Sequence, residues 1–263
     1  MTQYVDADKL KAWIDANATA APSAPPTPST PSDDPASALA GGVTAGKSAV
    51  FSALFSDPSN WTVGQTSAFP GSTPQTNPGD NKLDRISPIT SAPSTTGRFS
   101  ALLRPDGLWD ADLVTTEYSP KAFQAKAGDE ISALITLNQQ QGAWPAIWTW
   151  RDGGNEIDAF EYHPDNPGLL ELTNHTNTNG NYYSYANNAI KPGIPFLLVC
   201  KLKTTGVEWW VNGTKLFTGT GVPTNWSAYL IVNMSVSAGK YHPAPAANQA
   251  QLYFDVAGFR VWR

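Results

Sequence analysis

Three acidic side chains stand close together in the segment Asn155-Glu156-Ile157-Asp158-Ala159-Phe160-Glu161-Tyr162. On a regular strand Glu156 and Asp158 share one face, whereas Glu161 points to the other. A one-residue bulge within Ala159-Phe160 returns Glu161 to the face of the first two. The glutamates then sit as if four positions apart, about 13 Å between Cα atoms at roughly 3.3 Å per residue. Side chains leaning inward by about 4 Å each leave the carboxyls roughly 5 Å apart, which suits double displacement at a sugar's anomeric carbon and is too close for single inversion. One glutamate stays ionised to attack, the other holds a proton for the leaving oxygen, and Asp158 between them tunes both by like charge and hydrogen bonding. Two other readings stay open. A solvated acidic edge must explain why the acids alternate with Ile157 and Phe160, and a Ca²⁺ site also wants clustered carboxylates.

An aromatic run precedes the acids: Gly142-Ala143-Trp144-Pro145-Ala146-Ile147-Trp148-Thr149-Trp150, then the turn Arg151-Asp152-Gly153-Gly154. The two runs are expected to form a hairpin. Trp144, Trp148 and Trp150 share one face of a regular strand, and that face meets either the core or a cleft in which indoles stack on sugars.

The pattern Gly142-x-Trp144-Pro145-Ala146-x-Trp148, followed by Glu156-Ile157-Asp158-x-x-Glu161, resembles the signature of glycoside hydrolase family sixteen in its bulged, laminarinase-like branch. Leu230-Ile231-Val232-Asn233-Met234 and Phe254-Asp255-Val256-x-x-Phe259-Arg260-Val261-Trp262 resemble that family's late core strand and final strand. The resemblance covers most of 43–263 and none of the first 42 residues. It implies a concanavalin-like jelly roll whose concave sheet is an open cleft, cleaving internal β-linkages of glucans or galactans with retention. It makes Glu156 the nucleophile, Glu161 the acid/base and Asp158 the assisting carboxylate. Trp144, Trp148 and Asn233 become substrate-binding residues, and His175 matches a histidine near the acid/base, its other reading being a surface turn. Asn155 stands where the family usually has Gly, and Ser237-Ala238 where a Gly pair is common, so the cleft wall is expected to be reshaped there. No cofactor is required, although a structural Ca²⁺ is compatible with the fold.

The elements that must position these residues read as strands. Alternating runs cut by turn residues cover 99–103, 130–137, 143–150, 156–162, 169–173, 196–203, 207–211, 229–236 and 252–262, with turns such as Asp106-Gly107 and Asn212-Gly213. Without internal repeats, they predict an all-β, two-sheet antiparallel jelly-roll sandwich over 43–263 rather than a propeller. Ahead of it, Val5, Leu10, Trp13 and Ile14 predict an amphipathic helix within 1–19 that docks on a partner assembly, self-associates or packs on its own domain. Residues 20–42, rich in Pro, Ala, Ser and Thr, read as a semi-extended linker.

Charged residues are only 15% while aromatic ones reach 11%, a profile of β-rich, turn-rich chains. A net charge of -5 and the lack of Lys/Arg runs leave no footprint for nucleic acid. No apolar run is long enough for membrane insertion, and Met1 to Ala20 carries no recognisable secretion signal. Cys200, alone and within a strand pattern, reads as a packed thiol. The expected partner is a polysaccharide, cleaved or, in the second reading, gripped by a non-catalytic adhesin or decoration module; a purely structural spike is the third. An extracellular glycan is reachable without a secretion signal if the chain rides on a particle released by lysis, such as a phage virion.

Overall fold

In the computed structural model the described residues are 39–52, 55, 57–69, 75–86, 97–152, 155–176, 181–186 and 190–263. The helix expected within 1–19 and the linker up to residue 38 lie outside them. Among the described residues the strands are β1 (Ala49–Ser52), β2 (Thr62–Val63), β3 (Gln75–Thr76), β4 (Asp84–Ile86), β5 (Arg98–Leu103), β6 (Trp109–Ala111), β7 (Leu113–Thr115), β8 (Gln124–Lys126), β9 (Glu130–Thr136), β10 (Ala143–Trp150), β11 (Ile157–Tyr162), β12 (Leu169–Asn174), β13 (Asn181–Ala186), β14 (Phe196–Lys203), β15 (Gly206–Val211), β16 (Thr214–Thr218), β17 (Ser227–Val236) and β18 (Gln251–Trp262). Each run expected from alternation is present, its ends displaced by at most two residues.

Two sheets result. A 10-stranded sheet runs β16-β15-β14-β9-β18-β5-β6-β4-β3 with β1 on β18, and an 8-stranded sheet runs β13-β12-β11-β10-β17-β7-β2 with β8 on β17. Pairing is antiparallel except between β4 and β6, which run parallel, a departure from the all-antiparallel expectation. Both strands have three residues, too short for alternation to set a direction.

Strand parity explains the core. Phe99, Phe254 and Phe259 from the larger sheet meet Ile147, Phe160 and Val232 from the smaller, all at most 1% exposed. The Phe160 and Phe254 rings lie edge to face with centroids 6.3 Å apart, joining the acid-bearing strand to the opposite sheet. Burying each such side chain stabilises the sandwich by about 1.5–3 kcal/mol. On the outer face of the smaller sheet Phe69, Ile86, Leu113, Ala146, Trp148 and Ile231 form a separate apolar floor. On the outer face of the larger sheet Leu39, from the stretch read as linker, packs with Leu134, Leu197, Val199 and Trp262. Gly258 leaves room for it, since a Cβ there would lie 2.8 Å from Leu39 Cδ1.

Candidate active site

The hairpin expected from the aromatic and acidic runs is formed: β10 and β11 pair antiparallel, Ala146 opposite Glu161 and Trp148 opposite Asp158. β11 therefore spends one more residue than β10 between these pairs. The same excess recurs against β12, where Asp158 faces Thr173 and Glu161 faces Glu171. This is the bulge inferred at Ala159-Phe160. Both of those side chains enter the core, and Glu161 comes out on the face of Asp158.

That face is the floor of a cleft of about 750 Å³. Glu156, Asp158, Glu161, Trp144, Trp148, His175 and Asn233 all line it. The open question about the tryptophans is thereby answered: Trp144, Trp148 and Trp150 face the cleft, while Ala143 and Ile147 of the same strand face the core. Trp148 Nε1 donates to Asn233 Oδ1 at 2.8 Å, and Asn233 Nδ2 donates to Ser235 Oγ at 2.8 Å, so indole and amide are held in one orientation.

Trp144 Nε1 donates to Glu161 Oε1 at 2.7 Å. Burial, followed by the charge of Asp158, pushes Glu161 up to about 8, against the pull of Lys82 and the Trp144 N–H. Burial and then Asp158 also raise Glu156, to about 7, opposed by His175 and Lys82. Near neutral pH one glutamate thus keeps its proton while the other is close to losing it, the division of labour that acid/base chemistry requires.

His175 does not sit on an idle turn. Its Nε2 lies 3.2 Å from Asp158 Oδ2, and this hydrogen bond, working against partial burial, lifts the imidazole to about 9. The backbone carbonyl of Asp158 accepts from Trp209 Nε1 of β15 at 2.9 Å, which pins the strand to the far sheet. The ligand atoms of Glu156, Asp158 and His175 lie within 4.8 Å of one another. An imidazole in that set disfavours Ca²⁺, which takes oxygen ligands.

Three charged residues of the site escaped the sequence reading. Lys82 Nζ stands 2.5 Å from Asp80 Oδ2 and 4.4 Å from the centroid of the Trp144 ring. Burial works against its charge, yet Asp80, Asp84 and Glu161 together hold the ammonium above its ordinary range. Asp84, buried beneath it, accepts from the Val236 backbone N–H at 2.7 Å and is raised by burial to about 6. These residues come from the Pro-Gly-Asp-Asn-Lys turn and the short strand β4. Nothing in their spacing ties them to β10 and β11; the one local signal is Asn81, left-handed at φ 57° and ending the 3₁₀ turn Pro78–Asp80.

No family model matches the chain, and a search of curated proteins finds no match. Solved structures do match. An endo-β-1,3-glucanase from Pyrococcus furiosus superposes with a TM-score of 0.66 at 18% identity, covering 82% of this chain and 94% of that one. The catalytic domain of an endo-1,3-β-glucanase (laminarinase) from Thermotoga petrophila gives 0.66 at 20% identity, covering 82% and 98%. A laminarinase from Flavobacterium sp. gives 0.66 at 18%, covering 82% and 100%. At such identities the likeness establishes the fold: this chain has the β-sandwich of the laminarinases, and the site has to carry any statement of activity.

Proposed function

We propose that the chain is a retaining endo-β-glycanase of the family-sixteen type, cleaving internal linkages of a β-1,3-glucan or a related polysaccharide. The observation that carries this reading is the bulge in β11, which sets Glu156, Asp158 and Glu161 on the floor of one aromatic cleft. A packed strand has no structural need for three acids on one face.

In this reaction the Glu156 carboxylate attacks the anomeric carbon while Glu161 gives its proton to the glycosidic oxygen, so that the C–O bond breaks and a glycosyl ester forms. Glu161, now ionised, takes a proton from water; the water oxygen attacks the anomeric carbon and releases Glu156. Asp158, its Oδ2 3.2 Å from His175 Nε2, stands between the two glutamates on the same face. The indoles of Trp144, Trp148 and Trp150 supply flat apolar surfaces for sugar faces. A head of this kind would reach its polysaccharide outside the cell as part of a larger assembly, with the Pro-rich stretch before Leu39 as its spacer; composition is the support for that part.

The test is release of reducing ends from laminarin, mixed-linkage glucan and agarose by the chain and by Glu156→Gln, with the anomer of the first product read by proton NMR. The expected result is activity on at least one substrate, a β-anomer as first product, and loss of activity in the variant. No release from any substrate, with glycan binding that survives the substitution, would instead make the head an adhesin on a hydrolase scaffold.

A further inference from the structure

Lys82 lines the cleft with Glu161 and Trp144, yet it takes no part in the bond changes at the anomeric carbon. Its side chain is only 10% exposed. A buried ammonium needs counter-charges, and Asp80, Asp84 and Glu161 supply them. Its place is fixed by the backbone around it. Leu83 N–H donates to the Val236 carbonyl at 2.8 Å and Ala238 N–H to the Asn81 carbonyl at 2.8 Å, so the chain on either side of Lys82 is fastened to the end of β17 and the residues after it. From there the ammonium reaches two rings, 4.4 Å from the Trp144 centroid and 5.7 Å from that of Phe69. A cation over an indole is attracted by the ring quadrupole, most strongly where water is excluded. The same indole has a second brace: the His163 ring lies 4.6 Å from it and is itself stacked on His242, centroids 3.4 Å apart.

The one polar atom of this braced ring donates to Glu161 Oε1 at 2.7 Å. An indole N–H can only donate, and the carbonyl oxygen of a neutral carboxyl accepts better than its hydroxyl. The proton of Glu161 therefore belongs on Oε2. We propose that Lys82 is a positioning residue for the acid step: by holding the Trp144 ring in place it keeps Glu161 Oε1 occupied and the proton on Oε2, ready for the glycosidic oxygen. This role presupposes the glycanase reading and gives that site the means of orienting its acid. In the transfer the Oε2–H bond breaks, and the proton bonds to the leaving oxygen as the C–O bond opens. The charges around Glu161 are divided. Asp158 on its own strand and Glu171, opposite it on β12, make the carboxyl hold its proton harder, whereas Lys82 and the Trp144 N–H ease its release. Glu156 and His175 stand in the same cleft.

Lys82→Met keeps the length of the side chain and its apolar contact with the ring, and removes the charge. The measurement is kcat/KM on whichever of laminarin, mixed-linkage glucan and agarose the chain cleaves fastest, and on the dinitrophenyl glycoside of the same disaccharide unit, whose leaving group departs without a proton. The expected loss is at least ~10-fold on the polysaccharide, part of the ~10²–10⁴-fold that a placed acid contributes, and less than ~3-fold on the dinitrophenyl glycoside. The basic limb of the polysaccharide pH profile, which reports the acid of the free enzyme, moves to higher pH, because the ammonium no longer eases release of the Glu161 proton. If the single variant does not fold, Lys82→Met combined with Asp84→Asn gives the same readings, since it also removes the buried carboxylate that would lose its counter-charge. No loss on the polysaccharide, equal losses on both substrates, or a basic limb that stays in place would overturn the proposal and leave the glycanase reading standing. A wild type inactive on every substrate removes that reading and, with it, the acid step that Lys82 would serve.

Discussion

Glu161 illustrates how function and stability oppose each other at a single residue. Its carboxyl is raised far above the ordinary 4.5 by burial and by Asp158, so the folded chain binds this proton more tightly than the unfolded chain does. The contribution to stability is therefore complete below the ordinary value and is lost as pH rises through about 8. Above that pH the fold must keep a carboxylate beside Asp158 on the half-buried floor of the cleft. Glu161→Gln removes the ionisation and leaves the shape. The variant is expected to melt higher than the wild type at about pH 9, by on the order of 2 kcal/mol, and the difference should shrink towards about pH 5. Urea unfolding of both proteins at the two pH values checks this; a difference that stays flat would show that Glu161 is solvated in the folded chain. Activity should fall in the same variant, the usual exchange at a site built to hold an unstable charge.

At the scale of elements, what matters is one extra residue in β11. Its position was legible because strand parity is strict: Glu156 and Asp158 on one face, Glu161 on the other, and Phe160 needed in the core, all in one short segment. The nine long runs were legible for the same reason, and so was the hairpin that brings Trp148 opposite Asp158. The parallel β4–β6 pair was not, because direction in a three-residue strand is set by distant packing rather than local pattern. Lys82, His163 and His242 stand in or beside turns, where period carries no information and the contacts span the chain. Deleting Ala159 tests the element directly. The shortened β11 alternates without a bulge, Phe160 and Tyr162 in the core and Glu161 still on the face of Asp158. The variant should therefore fold and keep measurable reducing-end release, with stability lower by about 1–3 kcal/mol as the core closes over the lost residue. Circular dichroism with the laminarin assay reads both effects, and a folded variant without activity would mean that the bulge does more than restore the parity of Glu161.

On the scale of the whole molecule, charge narrows the choice of polysaccharide. The chain carries a net charge of -5, and among the described residues its cleft is lined by Asp80, Glu156, Asp158 and Glu161 against only Lys82 and His175. Lys82 is already engaged with Asp80, and His175 with Asp158, so neither cation is free for an anionic sugar. A neutral glucan meets aromatic faces and hydrogen-bonding groups whose strength barely depends on salt, whereas a polyanionic glycan brings like charge into a walled cleft that focuses the field. The expected outcome is a KM for neutral laminarin that changes less than ~2-fold between ~20 mM and ~0.5 M NaCl, where the screening length drops from tens of ångströms to a few. Carboxymethylated laminarin should bind at least ~10-fold more weakly at low salt and recover much of that loss at high salt. An anionic glycan that binds more tightly than the neutral one at low salt would require a cation in the subsites unpaired by any acid, and would move the proposed substrate from neutral β-glucans to charged galactans.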